Sequence, residues 1–148
     1  METIPLPNAQ PNTPSSSYAT FKAVGAVIAA LVTWIFVATV LNLALRASWL
    51  HYHEAETSFN FTFAMKLARL VLGAICSLGA GFVAAWISKG RMRTATLTGI
   101  VLLVLFIPGH YRIWSKFPVW YHLTFLVSLL PLTLLGAALN RRTCRHQA

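Results

Sequence analysis

A chain of 148 residues is about one domain long, yet 57% of it is hydrophobic and only 10% is charged. A soluble domain needs roughly a quarter of its residues charged to cover its surface, so most of this surface faces lipid. The net charge of +9 does not point to nucleic acid, because the basic residues stand in small groups between apolar runs, as membrane-flanking charges do, and form no binding face.

Residues 1–20, "METIPLPNAQPNTPSSSYAT", hold four of the seven prolines and a single charge, Glu2. Their composition predicts a disordered tail, and they lack the basic start of a secretory signal. The first apolar run, 23–45, lies between Lys22 and Arg46. As a helix it would be about 34 Å long, enough to cross the hydrocarbon core. Next comes "HYHEAETSFNFT", His51 to Thr62, with two of the five histidines and two of the three carboxylates; it reads as a wet loop.

The second span is expected at 63–88 and is followed by "KGRMR". The third, 94–114, has a cleanly apolar part only from Leu97 to Ile107. If it continues past Pro108, His110 and Tyr111 reach the headgroups and Arg112 snorkels outward. The fourth, 119–139, contains Pro131, which removes one backbone bond and predicts a kink. "NRRTCRH" closes it and opens a basic tail at 141–148. The expected fold is therefore all-α, an integral-membrane four-helix bundle over 21–140 flanked by two tails. Cys76, in an apolar run, and Cys144, in the basic tail, read as free thiols, since a disulfide needs Cα atoms within roughly 7 Å.

With four spans, the two ends and the second connection share one side. That side carries Lys22, Lys89, Arg91, Arg93, Arg141, Arg142 and Arg145; the other carries Arg46, Lys66, Arg69, Arg112 and Lys116. Under the positive-inside rule this bias places both termini in the cytoplasm. His51, His53, Glu54, Glu56, His110 and His122 then gather at the outer face.

Several readings of that gathering are open. His51, His53, Glu54, His110 and His122 have the donor chemistry of a metal site, though no recognised spacing such as HExxH is present. Imidazoles there could equally respond to pH. On the second span, Lys66, Gly73, Ser77, Ala80 and Ala84 share one stripe at 100° per residue. Small residues at that spacing let helices approach closely in lipid, so the stripe is expected to face the bundle and carry Lys66 inward, with Arg69 beside it. A cation there needs a partner, and the expected structural ion pair joins Glu54 and Glu56 to Lys66 and Arg69. The sharper alternative is an anionic-ligand pocket built from Lys66, Arg69, Arg112 and the histidines. Trp49, Tyr52, Trp114, Trp120 and Tyr121 are expected to form an interfacial belt. Asn42 is expected to bond another helix. Asn60-Phe61-Thr62 matches a glycosylation acceptor, relevant only in a eukaryote.

The segment "FIPGHYRIWSKFPVWYHLTFLVSLLPL", Phe106 to Leu132, resembles a stretch of small, uncharacterised bacterial inner-membrane proteins with four spans. The resemblance implies a bacterial inner membrane and a periplasmic outer face, and it implies no activity. The residues name no cofactor and no catalytic constellation. The leading expectation is a non-enzymatic membrane protein, an accessory subunit of a larger complex. Its expected partners are the lipid bilayer and other membrane subunits or a second copy of itself, with no nucleic acid. The rival is an outer-face protein binding a metal or an anionic ligand.

Overall fold

The computed structural model describes residues 16–145, with side chains over 20–143. The chain forms helices α1 (Ser16–Ser48), α2 (Tyr52–Ser58), α3 (Phe63–Ile87), α4 (Met92–Arg112) and α5 (Val119–Arg145), with a 3₁₀ turn at Trp114–Lys116. The four long helices are long and apolar enough to cross a bilayer. The molecule is an all-α bundle and an integral membrane protein.

The element limits differ from expectation at both ends. Residues 1–15 of the expected tail lie outside the described residues, and from Ser16 the chain is already helical. At the other end, 141–145 extend α5, because nothing after Gly136 breaks a helix. The third span ends at Arg112, with Pro108 inside its last turns. "HYHEAETSFNFT" also departs from a wet loop: most of it is α2. Left-handed residues stand at both ends of that helix, His51 at φ 70° and Phe59 at φ 58°. The Thr62 side chain accepts from the Met65 N–H and starts α3.

Helix α3 is the centre of the bundle and packs on α1, α4 and α5. Gly73, Ser77, Ala80 and Ala84 of the small-residue stripe are all buried. Ala80 and Ala84 meet Ala30 of α1 and Leu102 of α4, and the Trp34 indole of α1 donates to the Ser77 hydroxyl at 3.3 Å. A second small-residue seam, at Gly81 and Gly136, joins α3 to α5. A Cβ on Gly81 would stand 1.9 Å from the Thr133 carbonyl oxygen, and one on Gly136 would stand 2.0 Å from that of Leu78. Backbones this close maximise dispersion contact where lipid supplies no hydrophobic drive between helices. Buried hydroxyls stay satisfied by donating to their own helix: Ser77 to Gly73, Thr98 to Thr94 and Thr133 to Leu129. Large apolar side chains such as Phe36, Val71, Val104 and Val127 point outward, as a lipid-facing surface requires.

The end holding α2 and the α4–α5 turn is closed by a cluster of Tyr52, Ala55, Phe61, Met65, Phe117 and Tyr121. This corrects the belt. Trp114 and Trp120 remain exposed, whereas Tyr52 is 0% and Tyr121 5% exposed. Tyr52 packs its ring against Trp49 and Phe61, and Tyr121 packs against Phe117, so both belong to the packed interior.

Candidate functional site

Three features meet at this end of the bundle. The first is a closed ring of polar side chains from three helices. Arg69 of α3 donates from Nη1 to the Tyr52 hydroxyl and to Glu56 Oε1, each at 3.3 Å. Tyr52 of α2 donates to Asn42 Oδ1 of α1 at 3.5 Å, and Asn42 Nδ2 donates to Glu56 Oε1 at 3.1 Å. Arg46 of α1 pairs with the other Glu56 oxygen. Arg69 also lies over the Phe61 ring, 4.9 Å from its centroid, and interacts electrostatically with the nearby Tyr121 hydroxyl.

Helix geometry explains why one glutamate is chosen. Tyr52, Ala55 and Glu56 are spaced i, i+3, i+4 and share the inner face of α2. Glu54, about 200° around the helix from Glu56, faces water and pairs only with His51, at 3.2 Å and with both side chains mostly exposed. Burial pushes the Glu56 carboxyl up, but the hydrogen bonds from Asn42 and Arg46 and the charges of Arg46 and Arg69 outweigh it, so its pKa falls below the ordinary value. Burial raises the Tyr52 hydroxyl above its ordinary value, against the opposing pull of Arg69.

The second feature is a pair of buried imidazoles. His110, near the end of α4, and His122, in the first turn of α5, bring their Nδ1 atoms to 2.8 Å. Trp114 stacks on His122 at 4.7 Å between centroids and 13° between planes; Phe125 lies against His110 at 4.7 Å. His122 is 0% exposed, and among the described residues its Nε2 is the buried side-chain polar atom without a partner.

The third is a cavity of about 490 Å³ between α1, α3, α4 and α5. Trp34, Gly73, Phe106 and Phe125 line its deep part, and Asn42, Arg69, His110 and Tyr121 line the end towards α2. Its rim includes the exposed Ile35, Thr39 and Gly109, so it opens between α1 and α4 onto the lipid-facing surface.

The sequence-predicted residues thus separate into groups. Of the expected ion pair, Glu56 and Arg69 meet, and Arg46 joins them. Glu54 turns away for the reason given, and among the described residues no carboxylate lies within ion-pair distance of the half-buried Lys66. Of the ligand-pocket residues, Arg69 lines the cavity; Lys66 and the exposed Arg112 do not. Of the metal candidates, His110 and His122 come together, while His51, His53 and Glu54 stay on the exposed part of the α2 segment. Among the described residues no three histidine, cysteine, aspartate or glutamate side chains converge. Asn42 bonds the short helix α2 and the ring around it. Sequence reading missed Trp34, whose place mid-helix is unlike an interfacial tryptophan, and the inward Tyr52 and Tyr121. The i, i+3, i+4 spacing of Tyr52, Ala55 and Glu56 was the available signal for α2. No protein-family model matches this chain, and no curated protein or solved structure matches it either.

Proposed function

We propose that this chain is a small, non-enzymatic accessory protein of a bacterial inner membrane, with both termini cytoplasmic, that holds one amphipathic molecule taken from the bilayer. The observation that carries the reading is the cavity. Its volume of about 490 Å³ falls within the range of small-molecule sites, roughly 300–1,000 Å³. It is apolar in its depth, polar towards one membrane boundary, and open sideways to lipid, which matches an apolar body with a polar head. The positive-inside bias and the resemblance of 106–132 to bacterial inner-membrane proteins support the placement.

Gly109 offers a direct test. It lines the cavity, and a Cβ added there meets nothing within 4 Å. Gly109→Leu should fill the mouth without disturbing the helices. Lipid extracted from purified wild type is expected to contain a co-purifying amphiphile in near-stoichiometric amount. The variant should retain less than a tenth of it with an unchanged helical circular-dichroism spectrum. Equal amounts in both proteins, or none in wild type, would refute the reading.

A further inference from the structure

The histidine pair carries information about what the cavity accepts. An Nδ1···Nδ1 contact at 2.8 Å holds one proton, so one imidazole donates and the other accepts. If His110 donated, His122 would carry its proton on Nε2, leaving a buried N–H with no acceptor. If His122 donates, its Nε2 is a bare lone pair among aromatic rings, and orphaned N–H groups are the rarer and costlier case. The favoured arrangement is His122 Nδ1–H donating to His110 Nδ1. His110 then carries its own proton on Nε2, the nitrogen turned away from His122. His110 lines the cavity and His122 does not, so of the two imidazoles His110 is the one an occupant could reach, and in this arrangement its free nitrogen carries a proton.

The other polar groups around the same space agree. Trp34 donates to Ser77, Thr39 to Ile35, and both ends of the Asn42 amide are engaged in the ring. Arg69 keeps N–H groups beyond its Nη1 bonds, and Tyr121 keeps its hydroxyl proton. The oxygens of Thr39, Asn42 and Tyr121 keep acceptor lone pairs, but Arg69, the group in the lining that carries charge, can only donate. The one charged lining side chain is Arg69, and no carboxylate lines the space. Glu56, outside the lining, stands between two guanidiniums, Arg46 and Arg69, so the cluster keeps one surplus positive charge.

We infer that the cavity selects an amphiphile with an anionic, acceptor-only head, a carboxylate or a phosphate, held by Arg69, Tyr121 and His110 Nε2–H, with His122 as the positioning residue that sets the His110 tautomer. This rests on the proposed amphiphile-binding function and specifies its ligand.

The test compares four probes with one tail: hexadecanoate, hexadecyl phosphate, hexadecanol and hexadecylamine. Each is added at equal mole fraction to the full chain in non-ionic detergent, and retention is read by native mass spectrometry. The two anions should be retained at least tenfold better than the alcohol or the amine, since charge-assisted bonds are about twice as strong as neutral ones. The ranking of hexadecanoate against hexadecyl phosphate then separates a fatty-acid from a phosphate head. Equal retention of all four overturns the head-group inference while leaving the cavity reading intact; retention of none overturns both. His122→Phe should weaken anion retention about tenfold, the loss of one hydrogen bond. His122→Asn, whose amide N–H replaces Nδ1–H, should restore it; a Phe variant that binds like wild type overturns the positioning role. Nitrogen NMR of histidine-labelled wild type decides the tautomer without any substitution: His110 protonated on Nε2 supports the inference, and on Nδ1 overturns it.

Discussion

Glu56 is the residue on which the α2 end turns. Its side chain is only 14% exposed and sits between Arg46 and Arg69, 42% and 34% exposed. Glu56→Gln keeps the shape and removes the charge, leaving two guanidiniums facing each other. We expect a loss of about 2 kcal/mol, below the 3–5 kcal/mol of a fully buried pair because both arginines are partly solvated. Glu54→Gln, on the exposed face of α2, should leave thermal unfolding in detergent unchanged. The pH dependence follows from the same carboxylate. Its folded pKa is depressed, so its stabilisation is present above the unfolded value of about 4.3 and is lost as pH falls through the lower folded value. Wild type should therefore melt at lower temperature as pH drops below about 4.3. Glu56→Gln should show a flatter profile over the same interval, and parallel profiles would show that another group is responsible.

At the scale of helices, α3 makes most of the bundle through absent side chains. Gly81 and Gly79 are two residues apart on the same helix, so they face opposite ways. The first would drive a Cβ into the Thr133 backbone; the second meets nothing within 4 Å. Gly81→Ala should destabilise the α3–α5 contact by about 1–3 kcal/mol, because the obstacle is backbone and cannot rotate aside. Gly79→Ala should be neutral or slightly stabilising through helix propensity. Chemical unfolding in mixed micelles measures both, and equal effects would mean that the seam is looser than its geometry implies. The stripe expected from four-residue spacing, Gly73 to Ala84, is buried and turns to α1 and α4 as well as α5. A helix packed on three neighbours needs more than one small face, and a single-sequence stripe shows only one of them.

For the whole molecule, four spans bring both chain ends to the same boundary. Reporter domains fused at the carboxyl end and ahead of Phe21 are both expected to remain cytoplasmic. A label-accessible cysteine at exposed Asn60 should react from the opposite side. An exported carboxyl-terminal reporter would reverse the orientation.

The sequence by itself determined that lipid surrounds this chain and where its four helices run. Burying about twenty consecutive apolar residues in hydrocarbon is a local requirement, decided segment by segment. It also placed the titratable groups near the bundle ends and picked out Glu56, Arg69, His110 and His122 among its candidates. Only the tertiary structure decided which of them meet. Glu54 and Glu56 look equivalent in sequence until α2 forms and turns one of them inward. His110 and His122 join because the Trp114–Lys116 turn folds α5 back onto α4, and the cavity exists only where residues of α1, α3, α4 and α5 come together beside Arg69. Such contacts depend on helix rotation and separation, which side-chain packing sets and hydropathy does not encode.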